Sequence, residues 1–261
     1  MSSVATTQTF LDDDDALTPT LVLLPGLDGT GKLFAEFLKA LELRLSAQVV
    51  PYPPDLPLGY DELESLVRAA LPTRGPFVLL GESFSGPLAI RIAARPPPGL
   101  AGLILCVTFA SNPYPRLAWA RRLAAFLPLK SLPRWLRAPL MWGSASPSKA
   151  PRQSERAMAG VAANVIRRRI AALLAVDETA TLATIAVPTL VLRASRDRVV
   201  SKAATDKIMR GIPHARRVDV DGPHLLLKTR PEECAEAVHE FIREVQTAGP
   251  AVAGPAAKET L

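Results

Sequence analysis

Two serines stand in "FVLLGESFSGPLAI", residues Phe77 to Ile90, and either could supply a nucleophile. A serine hydroxyl becomes reactive when a base takes its proton, a third group orients that base, and donors receive the oxyanion that forms. The nucleophile itself must sit at the apex of a very tight strand-to-helix turn, with small residues two positions to either side because the backbones crowd there. For Ser83 those neighbours are Gly81 and Ser85; for Ser85 they are Ser83 and Pro87, and the turn would start too late after the apolar "FVLL". Ser83 is the candidate nucleophile, and Ser85 need only be small. The competing explanation is an ordinary strand-to-helix turn in which Ser83 caps the helix.

The other parts can be sought by type. Of the three histidines, His239 lies in the helical "AEAVHEFIREV" and His214 just before a strand in "GIPHARRVDV". His224, in "DVDGPHLLLKTRPEECA", falls in a loop after the last apolar strand, where a base belongs at the C-terminal edge of a parallel sheet. Asp197, in "LVLRASRDRVV", follows the preceding strand onto that same edge and is the candidate orienting acid. Asp219 and Asp221 are closer to His224 along the chain. Asp219, however, falls within a strand, and neither has a separate loop to bring a carboxylate to the ring's other nitrogen, so Asp221 is second choice. The oxyanion donors should be the amide of Phe84 and that of Leu27, in the loop "LPGLDGTG" where Gly26 permits close approach. This loop lacks both G-x-G-x-x-G and a P-loop Lys-Ser/Thr pair, which disfavours dinucleotide binding.

These residues need a scaffold that puts their loops together. Apolar runs "LVLLPG", "AQVVPYP", "FVLL", "GLILCVTF", "PTLVLRAS" and "ARRVDV" alternate with segments of helical periodicity such as "YDELESLVRAAL". Strands buried on both faces and separated by helices predict a doubly wound, mostly parallel α/β sheet of six to eight strands. Residues 113–176 interrupt the alternation. They carry twelve Lys or Arg, one acidic residue (Glu155) and all three tryptophans, a net +11 in a chain of net +6. Their pattern is helical, as in "RLAWARRLAAFL", and predicts an inserted cap. The expected layout is a core over 19–112 and 177–246, the cap over 113–176, and tails at 1–18 and 247–261.

At 261 residues and 48% hydrophobic content the chain can build a sizeable core. "LDDDD" near the N-terminus is the opposite of a basic signal region, no apolar run approaches the ~18 residues that span a bilayer, and Cys106 and Cys234 read as buried, reduced thiols. The expectation is a soluble, cytoplasmic protein. A nucleic-acid surface is disfavoured, because the Trp and Leu content of the basic segment at helical spacing suits a lid better.

Taken together, "GESFSG", "SRDRVV" and "DGPH", in the order Ser83, Asp197, His224, resemble the α/β-hydrolase superfamily over about residues 20 to 245. "LPGLDGTG" with "GESFSG" is also similar, more weakly, to the hydrolase part of plant phytyl ester synthases. The resemblance implies a serine hydrolase acting on a small-molecule carboxylic ester or thioester, without metal or cofactor. Acyl transfer on the same residues and a non-catalytic receptor with this fold remain alternatives. A carboxylate nucleophile, as in haloalkane dehalogenases and epoxide hydrolases, is excluded by Ser83. Pro25 replaces the histidine often found before the oxyanion glycine, and too few residues precede Leu21 for the usual N-terminal hairpin.

In the cap, Leu117, Ala120, Ala124 and Leu127 recur at helical spacing with Arg121 and Arg122 off that stripe. Leu117 and Trp119 are the candidate acyl contacts, while the cations would attract an anionic lipid surface or phosphates. Burial is worth ~0.8 kcal/mol per methylene, so specificity constants should rise from two- to eight- or twelve-carbon acyl esters and Leu117→Ser should flatten the rise. A maximum at two carbons, unchanged by the substitution, would contradict the lid.

Overall fold

A computed structural model of the chain describes residues 18–41, 45–115 and 156–248. Most of the basic segment, including Leu117, Trp119, Arg121 and Arg122, lies outside the described residues, as do residues 1–17 and 249–261 of the expected tails.

The six apolar runs form six strands: β1 (Thr20–Leu24), β2 (Ala47–Val49), β3 (Phe77–Glu82), β4 (Leu100–Cys106), β5 (Thr189–Ala194) and β6 (Arg216–Val220). Their order is β2-β1-β3-β4-β5-β6 and every pairing is parallel, which meets the predicted sheet at the lower end of its strand count. Among the described residues the longer helices are α1 (Ala35–Leu41), α2 (Tyr60–Ala70), α3 (Gly86–Ala94), α4 (Ala163–Ala175), α5 (Lys202–Gly211) and α6 (Pro231–Ala248). Composition predicts a tail from Thr247, but α6 continues through it to Ala248.

Successive strand residues point to opposite faces, and the sequence fills both with apolar side chains. Val22, Leu24, Leu79, Leu103 and Leu105 pack with Leu63 and Val67 of α2, Leu88 and Ile92 of α3 and Ile208 of α5. Leu21, Leu23, Val78, Leu80, Ile104 and Leu192 face the other way, against Phe37 of α1 and Val238, Phe241 and Ile242 of α6. This two-sided burial explains why the strands read as continuous apolar runs.

The register aligns the C-terminal ends. Leu24 lies opposite Gly81, Gly81 opposite Leu105, Cys106 opposite Leu192 and Ala194 opposite Val220. The loops after β1, β3, β5 and β6 therefore open on one edge. After β1 the chain turns toward β2, whereas after β3 it turns toward β4, so a crevice opens between those two strand ends.

The chain that leaves the sheet after β4 and the chain that returns to it run side by side. Ser111 and Asp177 form an antiparallel bridge, the Asn112 amide donates to the Val176 carbonyl (2.9 Å) and the Glu178 amide to the Ala110 carbonyl (2.8 Å). The basic segment thus joins the sheet through a hydrogen-bonded neck.

Candidate active site

The turn after β3 is as tight as the spacing of small residues predicts. Ser83 has φ +49°, in the left-handed region that residues with a side chain seldom occupy. A β-carbon at position 81 would lie 2.8 Å from the Ser85 carbonyl and 2.7 Å from the β-carbon of Ala89, so only glycine fits there. At position 86 it would overlap Thr108. The Ser83 carbonyl accepts from the Gly86 amide and from the Thr108 hydroxyl, while the Phe84 carbonyl accepts from Tyr60 Oη at 2.8 Å. The Tyr60 and Phe84 rings stack with centroids 4.8 Å apart. Val107, just before Thr108, is itself left-handed (φ +44°) and is tied through its amide to the Leu192 carbonyl.

From the apex of this turn Ser83 Oγ donates to His224 Nε2 at 2.9 Å, and His224 Nδ1 donates to Asp197 Oδ2 at 2.8 Å. The other carboxylate oxygen of Asp197 accepts the amides of Val199 (2.7 Å) and Val200 (2.9 Å). Both oxygens being so engaged, the carboxylate is held as an acceptor and the proton of the neutral ring is kept on Nδ1. Nε2 is then free to take the serine proton. The side chains of His224 and Asp197 are only 3% and 5% exposed, so water competes little for these bonds.

The rival carboxylates are engaged elsewhere. Asp219 pairs with Arg193 and Arg217, and Asp221 with Ser195 and Arg196 on the surface. His214 is exposed and bonds the Val187 carbonyl, and His239 lies within the helix α6, which follows the loop that carries His224.

Across the crevice the loop after β1 comes close to the serine. A β-carbon on Gly26 would lie 3.9 Å from that of Ser83 and 3.4 Å from Glu82 Oε2. The loop is anchored from below by Ser85, whose hydroxyl donates to the Pro25 carbonyl and receives the Tyr52 hydroxyl at 2.5 Å. Burial pushes the Tyr52 phenol up, so it remains a donor. Ser85 is therefore more than a small residue. It ties the turn after β3 to the loop after β1, a bond that glycine at this position could not make.

Tyr52, Thr108 and Glu82 were not singled out by the sequence pattern. Tyr52 and Thr108 lie in loops whose approach depends on the tertiary fold. Glu82, by contrast, stands beside Ser83 in "GESFSG" and points away from solvent at 5% exposure. Burial, and then the carboxylate of Asp28, push its pKa up to about 8 against the opposing pull of the Gly26 amide. Nearby Cys106 and Cys234 are free and buried, and their thiols are likewise pushed up by burial.

The sequence matches the profile of the alpha/beta hydrolase family over residues 21–237. The chain belongs to the alpha/beta hydrolase family. Among solved structures, an enol-lactonase from Burkholderia xenovorans LB400 superposes with a TM-score of 0.76 at 19% identity, covering 87% of this chain and 92% of its own. A thermophilic esterase from Thermogutta terrifontis gives 0.72 at 22% identity, covering 87% and 90%. The polyketide synthase ThaQ of Burkholderia thailandensis is 30% identical over an alignment of 263 positions that covers 92% of this chain and 12% of that protein. The chain spans about an eighth of the length of that curated relative. Among the described residues of this family member, no helix is long and apolar enough to cross a membrane.

The state of Glu82 makes stability depend on pH. Its folded pKa lies above the ordinary value of 4.5, so its contribution is complete below about pH 4.5 and is lost as pH rises through about 8. Urea unfolding at pH 5, 7 and 9 should show the parent losing a few kcal/mol across that range, and Glu82→Gln losing much less. Equal pH slopes for the two proteins would contradict a buried, protonated Glu82.

Proposed function

We propose that this chain is a serine hydrolase that cleaves a carboxylic ester or thioester through an acyl-enzyme. The observation that carries this reading is the unbroken sequence of hydrogen bonds from Ser83 Oγ through His224 to Asp197, at the strand ends beside the Gly26 loop. His224 Nε2 would take the Ser83 proton as Oγ attacks the acyl carbon, and Asp197 would hold the ring and stabilise the imidazolium. The amides of Leu27 and Phe84 would receive the oxyanion, and the proton on Nε2 would pass to the departing alcohol or thiol. Water, activated by the same imidazole, would then release the acid and restore Ser83. Neither half of this reaction calls for a metal or a cofactor.

The domain layout belongs to the same reading. The core would comprise residues 19–112 and 177–246, with the segment between them acting as a cap that covers the acyl group. Family membership supports hydrolysis; the ester or thioester is our inference from the nucleophile. The likeness to a stretch of a polyketide synthase makes an acyl thioester the first substrate class to test, and it also favours acyl transfer as a second reading on the same residues.

Four replacements give a graded test on one activated ester or thioester. Ser83→Ala should lower kcat by a factor on the order of 10⁴ to 10⁶, and Asp197→Asn by on the order of 10⁴, because the amide would favour the wrong ring tautomer. Asp221→Asn should stay within a few fold of the parent. Ser85→Ala should retain turnover but lower it, since the Pro25 carbonyl and the Tyr52 hydroxyl lose their partner. Full activity in Ser83→Ala, or a larger loss in Asp221→Asn than in Asp197→Asn, would reject the assignment.

A further inference from the structure

Among the described residues of the basic segment one arginine is wholly buried. Arg169, on α4, is 0% exposed, although Arg168 beside it is half exposed and pairs with Glu62 at the surface. The Arg169 guanidinium reaches back to the loop after β1. Its Nη1 donates to the carbonyls of Leu27 (3.0 Å) and Asp28 (2.8 Å), and its Nη2 to the carbonyl of Pro53 (3.1 Å). The cation lies over the Tyr52 ring, 5.5 Å from the centroid, and Tyr52 in turn bonds Ser85. Nε is buried without a hydrogen-bond partner among the described residues.

The loop is shaped to receive this cation. Gly29 is left-handed (φ +69°), and a β-carbon there would lie 2.4 Å from Arg169 Nη1. A side chain at position 29 would thus occupy the place of the guanidinium. Burying a cation is costly, and part of its hydrogen-bonding capacity goes unused here. What it does hold is three backbone carbonyls from two separate loops, which a planar fork can bridge and a flexible ammonium cannot.

We propose that Arg169 is a positioning residue that fixes the Gly26–Gly29 loop with the Leu27 amide turned toward Ser83, so that the inserted segment takes part in building the oxyanion site. The proposal rests on the hydrolase reading, because it needs an oxyanion at Ser83. Ser85 holds the loop at Pro25 and Arg169 holds it at Leu27 and Asp28, so the donor amide is fixed from both sides. Undocking of α4 would release one of these two anchors.

The test uses the full chain and two routes to the same contact. Arg169→Met removes the cation and Arg169→Lys keeps only its charge; Gly29→Ala displaces the guanidinium and leaves α4 unaltered but also strains the left-handed position 29 itself, so Arg169→Met is the deciding variant. Hydrogen–deuterium exchange of residues 26–30 reads the tether, and steady-state ester turnover reads the oxyanion site, with Ser83→Ala in parallel. The expected result is faster exchange in all three variants and a kcat lower by about 10- to 10²-fold with KM within about threefold, the mark of an interaction made in the transition state. Arg169→Lys should not recover the parent's kcat. Unchanged exchange in folded Arg169→Met would overturn the tether. Faster exchange with unchanged kcat, while Ser83→Ala is inactive, would overturn the positioning role and leave the hydrolase reading standing. Turnover retained in Ser83→Ala would remove the hydrolase reading itself, and the role of Arg169 with it.

Discussion

A serine at φ +49° is held against its own preference, at a cost on the order of 1–3 kcal/mol, and persists only where the surroundings over-determine it. Here they do. Gly81 and Gly86 leave room for backbone and for Thr108 where any side chain would collide. The Ser83 carbonyl is held by Thr108 and the Gly86 amide, and the Phe84 carbonyl by Tyr60. The strained turn lifts Oγ clear of the sheet edge, which is the position from which it reaches His224. With Ser83 in the ordinary helical region the same residues would form a helix cap, and the loops around them would have nothing to serve.

The parallel sheet supplies the rest of the geometry. Aligned strand ends bring together loops that are 141 residues apart for Ser83 and His224, and only 27 apart for His224 and Asp197. Asp197 is held by two amides of its own loop as well as by the imidazole, so the carboxylate does not depend on the ring alone for its position. On the other side of the serine the loop after β1 is held by Ser85 from beneath and by Arg169 from α4. The two halves of this arrangement are therefore anchored to different parts of the fold, one to β5 and β6 and the other to β3 and α4.

Much of this was legible in the sequence, and the division follows physical lines. Continuous apolar runs gave away strands buried on both faces, and the small residues around Ser83 marked a turn that only steric crowding explains. His224 and Asp197 could be set beside Ser83 because parallel topology gathers the loops after the strands at one edge of the sheet. Residues that act across the fold left no such trace. Arg169 stands in "IRRRI", where three arginines look alike and only the docking of α4 distinguishes the buried one. Tyr52 follows a three-residue strand at the sheet edge, and its bond to Ser85 depends on how two loops meet. Ser85 itself was visible as a small side chain, but its hydroxyl had no apparent partner until Pro25 was brought over it.

On the proposed mechanism Ser83, and not Ser85, carries the acyl group. The most direct measurement is to quench the protein during turnover of a slowly hydrolysed ester, digest it with trypsin and locate the added mass. The peptide from Gly75 to Arg91 holds two serines and no other hydroxyl, amine side chain or thiol, so fragmentation can assign the site without ambiguity. The acyl mass is expected on Ser83, appearing within the first turnover and disappearing as substrate is exhausted. An acyl group on Ser85, or steady turnover with no acylated peptide at any time under conditions that trap acyl-serine esters, would contradict it.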